Sequence, residues 1–330
     1  MSEITAIESK AKQRSELSFD RIAVRLSSIS ELAQGTKLYE LAREDGVALP
    51  AATAGAHIDV YLPNGLTRQY SLILDGQPSP TYAVAVKYDP GSRGGSRFMH
   101  HELRAGAKFD IGTPRNHFPL MESAEHTVLI AGGIGITPIL SMLNRLKSLG
   151  RPFELHYACR AREDMAFFEQ LQGMPSIDLH LDLELGRILD LDMIRRNAPT
   201  DSHFYCCGPL PMLEAFEKST HGSAQDHIHV EYFSPKQAST IRGGFAIELA
   251  RTKTTLFVKP GQRIIDVLHA EGVNIPMSCE QGICGSCETR VLAGMPDHRD
   301  QILTEAERRD GKSMMVCCSG SVSECLMLDI

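Results

Sequence analysis

The stretch that says most about the fold is Cys279–Cys287, which reads Cys-Glu-Gln-Gly-Ile-Cys-Gly-Ser-Cys. Its three cysteines have the spacing C-x4-C-x2-C, and a fourth, Cys317, follows farther along the chain. Thiolates at this spacing are typical ligands of a [2Fe–2S] cluster, because three of them must come from one tight loop around two irons. The glycines of the loop let backbone amides approach sulfur. We therefore predict that a cluster that carries single electrons is bound by Cys279, Cys284, Cys287 and Cys317.

Two alternatives remain open at this motif. A structural zinc site also uses cysteines, but zinc ribbons usually pair two C-x2-4-C knuckles, whereas the fourth cysteine stands alone here. The identity of the fourth ligand is the other question. Cys318 directly follows Cys317 and competes with it for the cluster.

Length and composition limit the class of protein. A chain of 330 residues suggests two or three domains, given about 150 residues per domain. Nine cysteines and a polar segment at residues 1–18 argue against secretion, so we expect a cytoplasmic protein. No apolar run is long enough for a membrane span, and a formal net charge of −7 disfavours nucleic-acid binding.

The rhythm of apolar residues changes twice along the chain. Short alternating runs at 23–120, broken by a Pro-Asn-Gly turn at 63–65, predict an antiparallel β-barrel. Strands then alternate with helices at 125–230, which predicts a parallel sheet with helices on its faces. Two further strands and a helix precede the cysteine loop. We expect a multidomain chain with a β-barrel domain at 15–122, an α/β domain at 123–233, a linker at 234–243 and an α+β domain at 244–330.

Two motifs in the first segment favour a flavin. In the strand that begins Arg68-Gln69-Tyr70-Ser71, Arg68 and Tyr70 point to the same side and suit a phosphate and an aromatic ring. Downstream, Arg93-Gly94-Gly95-Ser96 precedes a predicted helix at 97–103, whose first amides suit a nucleotide phosphate. An Arg–Tyr pair on a surface strand explains the first motif equally well when it is taken alone.

The turn Ala131–Pro138 reads Ala-Gly-Gly-Ile-Gly-Ile-Thr-Pro, follows a strand and opens a helix. Glycines here allow close approach of a pyrophosphate to the helix N-terminus. Pro138 stands where the usual dinucleotide fingerprint has its third glycine, but Pro is favourable in a first helical turn. A purely structural glycine turn is the alternative.

These motifs, taken in order, resemble those of the ferredoxin–NADP reductase superfamily, specifically the phthalate dioxygenase reductase and vanillate demethylase reductase group. The resemblance covers nearly the whole chain after about residue 20. It implies a flavin β-barrel, a nicotinamide α/β domain and a C-terminal plant-type ferredoxin domain with a β-grasp fold. It also favours Cys317 over Cys318 as the fourth ligand, because a Ser follows two residues later.

The resemblance implies residues for FMN and for a nicotinamide nucleotide. For FMN they are Arg68, Tyr70, Ser71, Ala85, Val86, Lys87, Gly94, Gly95 and Ser96. For the nicotinamide nucleotide they are Gly132, Gly133, Gly135, Thr137, Pro138, Arg160, Cys207, Gly208, Pro209, Glu231 and Phe233. Among them, we expect catalytic roles for Ser71, Cys207 and Phe233.

The identity of the electron donor follows only from the resemblance. Related NADH-dependent proteins have an acidic residue directly after the Arg that corresponds to Arg160, whereas Ala161 and Arg162 follow it here. An acidic group binds ribose hydroxyls, and an Arg favours a 2′-phosphate. We expect NADH, and NADPH stays possible.

The resemblance implies the reductase component of a two-component system. Such a protein passes electrons from NADH through FMN and a [2Fe–2S] cluster to a terminal oxygenase, here of the Rieske type that acts on aromatic compounds or as an O-demethylase. We expect a monomer that binds this oxygenase. One alternative is an NAD(P)H-dependent reductase of another acceptor, such as a cytochrome P450. A different class is a zinc-stabilised nucleotide-binding regulator without turnover.

Overall fold

The structure is a computed structural model that describes residues 21–75, 80–234, 236 and 244–330. One compact unit spans Ile22–Phe233, and the other contains Ser234–Ile330. The predicted beginning of the barrel domain at residue 15 lies outside the described residues, as does most of the predicted linker at 234–243.

The first part of the unit Ile22–Phe233 is a six-stranded sheet followed by a short helix, α1. The elements are β1 (Arg21–Ala33), β2 (Thr36–Arg43), β3 (His57–Tyr61), β4 (Thr67–Ser71), β5 (Thr81–Lys87), α1 (Gly95–His101) and β6 (Lys108–Gly112). The strand order is β4-β3-β6-β1-β2-β5, and the pairs β1–β2, β2–β5, β3–β4 and β3–β6 are antiparallel. A bridge between Ile73 and Ala83 joins the two ends of the sheet, so it closes into the predicted barrel.

The barrel core follows from the two-residue period of its strands. In β1, Ile22, Val24 and Leu26 point inward and are buried, while the residues between them are exposed. They pack with Ile58 and Ile111 from neighbouring strands. Alternation therefore sets the inner face of this sheet.

The second part of the same unit is a parallel sheet with helices on both faces. Its elements are β7 (Thr127–Gly132), α2 (Ile136–Leu149), β8 (Phe153–Cys159), α3 (Phe168–Leu171), β9 (Ile177–Leu181), α4 (Asp182–Leu185), α5 (Leu191–Asn197), β10 (His203–Cys207), α6 (Leu210–Ser219) and β11 (Ile228–Glu231). The strand order is β11-β10-β7-β8-β9. Single 3-10 turns occur at Gly133–Gly135, Arg162–Asp164 and Gln225–His227.

Strand β7 is buried on both faces, which explains its continuous apolar sequence. Leu129 packs into one core and Val128 into the other. The segment between β8 and β9 is not one continuous helix, because Phe167 has a φ of 62°, outside the right-handed helical region. Only Phe168–Leu171 is α-helical there.

Helix α2 is tied to the barrel by buried hydrogen bonds. The Ser141 hydroxyl donates to the Leu72 carbonyl at 2.6 Å and accepts from the Leu74 amide at 2.9 Å. The Asn144 side-chain amide donates to the Leu74 carbonyl at 2.8 Å. These bonds satisfy backbone groups just beyond β4, where the barrel strand ends.

The unit that contains Ser234–Ile330 is a mixed sheet packed against a helix. Its elements are β12 (Phe245–Leu249), β13 (Thr254–Val258), α7 (Ile264–Ala270), β14 (Glu288–Ala293), β15 (Pro296–Asp297), α8 (Glu305–Asp310), β16 (Ser313–Met315), β17 (Gly320–Ser321) and β18 (Cys325–Leu328). The five-stranded order is β13-β12-β18-β14-β16, with β12 and β18 parallel. Ile264, Ile265 and Leu268 of α7 are buried against this sheet.

An antiparallel barrel, a parallel α/β sheet and a mixed α+β sheet are thus present, as the sequence predicts for the multidomain fold class. The longest helix, α2, has 14 residues. None of the helices in the described ranges is both long and apolar enough to cross a membrane.

The end of β7 and the end of β10 pack backbone against backbone. A Cβ atom added to Gly135 would lie 2.2 Å from the Cys207 carbonyl oxygen and 2.8 Å from the Gly208 amide nitrogen. Gly135 has a right-handed helical φ of −61°, which alanine also adopts. The absence of a side chain, and not backbone conformation, is therefore what this position requires.

We predict that Gly135→Ala lowers the free energy of unfolding by about 3 kcal/mol, because the new methyl group must separate two strand ends. The matched control is Gly91→Ala, whose added Cβ would meet its nearest atom at 3.4 Å, an ordinary contact. We expect a change below about 0.5 kcal/mol for the control. Thermal unfolding followed by calorimetry measures both, and equal midpoints for the two variants would contradict the prediction.

Candidate cofactor sites

The glycine turn after β7 lies at the carboxyl edge of the parallel sheet, beside the Cys-Gly-Pro run after β10. A Cβ on Gly132 would lie 2.7 Å from both Met212 Sδ and Pro209 Cδ, so this glycine is required by packing. Gly133 has a φ of 52°, and its Cβ position is open. Of these two glycines, only Gly133 has an open face that a phosphate group could approach.

Two other predicted nucleotide-binding residues are interior. Thr137 is buried, and its hydroxyl donates to the Ile134 carbonyl at 3.1 Å. Pro138 lies in the first turn of α2 and is also buried. Because both side chains are buried, we infer that they support the conformation of the turn from the protein interior.

Cys207 and Glu231 end the neighbouring strands β10 and β11 and form a contact pair. Cys207 Sγ lies 3.9 Å from Glu231 Oε2. Desolvation raises the pKa of Glu231 to about 8, although donation by the Cys207 thiol opposes the shift. Burial, together with the nearby Glu231 carboxyl, raises the pKa of Cys207 well above its ordinary value. Both groups therefore hold their protons at neutral pH.

The two flavin motifs come together in the barrel. Arg68 runs along Gly95, where an added Cβ would lie 2.6 Å from the Arg68 Cγ and Nε atoms. Its guanidinium donates to the Arg93 carbonyl at 2.8 Å. Gly94, with a φ of 88°, precedes α1, and the Ser96 hydroxyl lies 3.0 Å from that of Ser92. The Arg and the Gly-Gly-Ser run thus form one local site.

The remaining predicted flavin residues differ in exposure. Tyr70 is half-buried, and burial raises the pKa of its hydroxyl. Ser71, Ala85 and Val86 are buried, so they offer mainly backbone atoms to a ligand. Lys87 is exposed at the end of β5. Phe233 is 37% exposed, more open than the other two residues predicted to be catalytic.

A charged edge that the sequence reasoning missed lies where β8 and β9 end. Cys159 pairs with Leu181 across these strands, and the Leu183 amide donates to the Arg160 carbonyl at 3.0 Å. Arg160 and Asp182, the residues that follow the two strand ends, are therefore neighbours. The alternating run Ile-Asp-Leu-His-Leu at 177–181 was the available signal for β9.

The four cysteines predicted as cluster ligands are buried together. The Cys279 thiol contacts both Cys284 and Cys317, and the Cys287 thiol contacts Cys317, so the four sulfurs form one connected group. Each neighbouring sulfur, with burial, raises the pKa of Cys284 and of Cys287. In the described part of the chain, no group of three or more His, Cys, Asp or Glu is arranged around one metal ion. Four thiols in contact suit a cluster of two irons, which takes four thiolates.

Backbone amides point at these sulfurs. The Gln281 and Ile283 amides donate to Cys279 Sγ at 3.3 Å and 3.5 Å, and the Ser286 amide donates to Cys284 Sγ at 3.5 Å. Such donors stabilise thiolate character, which fits iron ligands.

Cys318 is buried beside the loop, and among the described residues its hydrogen-bond contacts are not with the four predicted ligands. Its sulfur lies 3.7 Å from the Met315 carbonyl. It would also lie 2.4 Å from a Cβ at Gly282, a loop glycine with a φ of 69°. Cys318 therefore packs behind the loop, and the geometry favours Cys317 as the fourth ligand.

Comparisons with known proteins agree with this arrangement. Residues 247–320 match the family model described as "2Fe-2S iron-sulfur cluster binding domain". The chain is 46% identical over 310 residues to the phenoxybenzoate dioxygenase subunit beta of Ectopseudomonas oleovorans, and the match covers 94% of this chain and 97% of the relative.

Two solved structures are similar over nearly the whole chain. Phthalate dioxygenase reductase, described as a modular structure for electron transfer from pyridine nucleotides to [2Fe-2S], matches with a TM-score of 0.72 and 34% identity, covering 96% of this chain and 99% of that chain. The chain belongs to the phthalate dioxygenase reductase family. An intact type IV self-sufficient cytochrome P450 monooxygenase matches with a TM-score of 0.86 and 37% identity, but this chain spans only 41% of its length.

Membership in the phthalate dioxygenase reductase family confirms the predicted resemblance, the fold class and the assignment to oxidoreductases. The match to a 2Fe-2S binding domain confirms the prediction of that cluster and removes the support for a zinc-stabilised regulator. The roles of individual residues remain predictions.

The raised pKa of Glu231 predicts a pH-dependent stability. The folded state keeps the Glu231 proton up to a pH of about 8, whereas the unfolded state loses it near 4.5. The folded state thus binds more protons between these values, and stability falls as the pH rises through them. We expect wild type to lose roughly 3 kcal/mol relative to Glu231→Gln between pH 5 and pH 8.5.

Denaturant unfolding at several pH values measures this difference. Glu214→Gln serves as the control, because Glu214 is an exposed glutamate of α6 in the same α/β domain. Parallel stability curves for wild type and Glu231→Gln would show that the carboxyl group is ionised in the folded protein.

Proposed function

We propose that this protein is the reductase component of a two-component Rieske-type system, an aromatic oxygenase or an O-demethylase. It oxidises NADH and passes electrons through FMN and a [2Fe–2S] cluster to the terminal oxygenase. The observation that carries the proposal is the combination of a nucleotide turn, a flavin motif and contacting cluster cysteines in a chain of this family. A hydride acceptor and a one-electron carrier are useful together only if the protein divides electron pairs.

We assign the following cofactor-binding roles to the predicted residues. The open face at Gly133 and the N-terminus of α2 receive the pyrophosphate, while Gly132, Gly135 and Gly208 keep the strand ends close. Arg68 and Gly94–Ser96 hold the FMN phosphate, and Tyr70 lies against the flavin ring. Ser71, Cys207, Glu231 and Phe233 surround the place where nicotinamide and flavin rings meet.

Burial raises the pKa of Cys207 and of Glu231, which favours their neutral, protonated forms. A neutral site does not repel the negative charge that a flavin gains on reduction. When bound, FMN accepts the hydride and releases electrons one at a time, and the cluster carries single electrons. The protein's residues position these groups and tune their potentials.

Asp182 supports the binding of a nucleotide ribose at this edge. Asp182 Oδ1 is buried and accepts no hydrogen bond from the described residues, although His180 Nε2 lies 3.5 Å away. A carboxylate oxygen near the end of a strand of a nucleotide-binding sheet is suited to a ribose hydroxyl.

The domain boundaries at 15–122, 123–233 and 244–330, with a linker at 234–243, remain part of the proposal. So do the monomeric state and the cytoplasmic location, which a chain with nine cysteines favours. The similarity to 41% of a self-sufficient cytochrome P450 monooxygenase supports a second candidate acceptor, a P450.

Purified protein tests the proposal. We expect visible absorbance of a flavin and of an iron–sulfur cluster, and NADH-dependent reduction of a one-electron acceptor such as ferricyanide. NADH use coupled to product formation with a Rieske oxygenase, but not with a P450, identifies the partner class. Stoichiometric zinc without flavin or iron would sink the reductase assignment, and coupling to a P450 alone would establish the second candidate.

Adjacent serine substitutions test the cluster ligand. Because Cys317 contacts Cys287 whereas Cys318 packs against Gly282, we expect Cys317→Ser to remove most of the cluster absorbance. Cys318→Ser should retain it, and both variants should keep the flavin spectrum as a check on folding. Cluster loss in Cys318→Ser with retention in Cys317→Ser would reverse the assignment.

A further inference from the structure

Arg162 lies at the charged edge beside β8 and β9, where the adenosine ribose of the nucleotide would bind. A guanidinium at this edge is the group that receives a 2′-phosphate in NADP-binding proteins. The sequence alone therefore leaves NADPH possible beside the expected NADH. In the folded chain, the surroundings of Arg162 favour NADH over NADPH.

Two contacts hold the Arg162 guanidinium. Its Cζ atom lies 4.4 Å above the centre of the Phe168 ring, within the range of a cation–π interaction. Its Nε atom lies 3.6 Å from Glu184 Oε1 of α4. Phe168 thus packs against the guanidinium, and Glu184 lies close enough to pair with it.

The charges around this edge are mainly acidic. Glu163 and Asp164 follow Arg162 in the 3-10 turn, and Asp182 and Glu184 belong to α4. Within residues 160–164 and 182–185, the positively charged side chains are Arg160 and Arg162. A 2′-phosphate brings about two further negative charges, so these carboxylates oppose its binding, and Arg162 can offset them only in competition with Glu184.

We propose that Glu184 is a positioning residue that withholds Arg162 from a 2′-phosphate and thereby sets the preference for NADH over NADPH. This inference rests on the proposed function, because it concerns the nucleotide site of the same reductase. Glu184 itself touches neither the nicotinamide nor the flavin in this account. It acts only through Arg162.

The strength of the effect follows from exposure. The Arg162 and Glu184 side chains are 59% and 54% exposed, so their ion pair is weak and screened by salt. Its removal frees Arg162 for a dianion at small cost. We expect Glu184→Gln to bind adenosine 2′,5′-bisphosphate about 3- to 5-fold more tightly, the factor that corresponds to an exposed ion pair. Binding of adenosine 5′-monophosphate should stay unchanged.

Calorimetric titration of the full-length protein with these two nucleotides measures the ratio without any turnover. The ratio of kcat/KM for NADPH to that for NADH, with ferricyanide as acceptor, should rise by the same factor. The gain in binding should disappear at high salt. The control Glu169→Gln removes an exposed glutamate of α3 that pairs with Gln172, and it should leave both ratios unchanged.

A double variant identifies the group that acts. Arg162→Ala in the Glu184→Gln background should cancel the gain, because the released guanidinium is gone. An unchanged nucleotide ratio in Glu184→Gln would overturn the inference while NADH oxidation by wild type keeps the proposed function. A loss of bisphosphate affinity in Arg162→Ala alone would also overturn it, since Arg162 would already be available. Failure of wild type to bind either nucleotide would reject the proposed function and the inference together.

Discussion

The close packing of two strand ends, at the turn after β7 and the run after β10, is the constraint on which the α/β sheet depends. Gly135 brings its backbone against Cys207 and Gly208, at a distance that leaves no room for a methyl group. Pro209 and Met212 close the same contact against Gly132. Because parallel strands end at one edge, this contact also places the glycine turn beside Cys207. The glycines that a sequence pattern assigns to phosphate binding therefore divide into structural and open positions.

The carboxyl edge of the parallel sheet differs in burial and in charge between β10 and β11 on one side and β8 and β9 on the other. At β10 and β11, desolvation keeps the Glu231 carboxyl neutral, so the place assigned to hydride transfer carries little charge. At β8 and β9, the exposed carboxylate of Glu184 lies beside Arg162. A neutral interior suits a ring that changes its redox state, whereas a charged and hydrated rim suits selection between two nucleotides that differ by one phosphate.

Local patterns predicted a large part of the fold. The short alternating runs at 23–120 predicted a β-barrel, and the alternation of strands and helices at 125–230 predicted a parallel sheet. The left-handed backbone of Phe167 could not be predicted, because the residue is not a glycine. The approach of Arg68 to Gly95 could not be predicted from the sequence either, because the two residues lie on elements that are distant in sequence.

The sequence by itself determined the cluster chemistry, the order of the domains and the family, because these depend on residue spacing and local periodicity. It left the choice between Cys317 and Cys318 to a resemblance. It also left open whether Arg162 is available to bind a 2′-phosphate. Only the tertiary structure placed Cys317 among the contacting thiols, Cys318 behind Gly282 and Glu184 beside Arg162. The physical reason is that ligand direction, desolvation and ion pairing depend on distances between segments that the chain brings together only on folding.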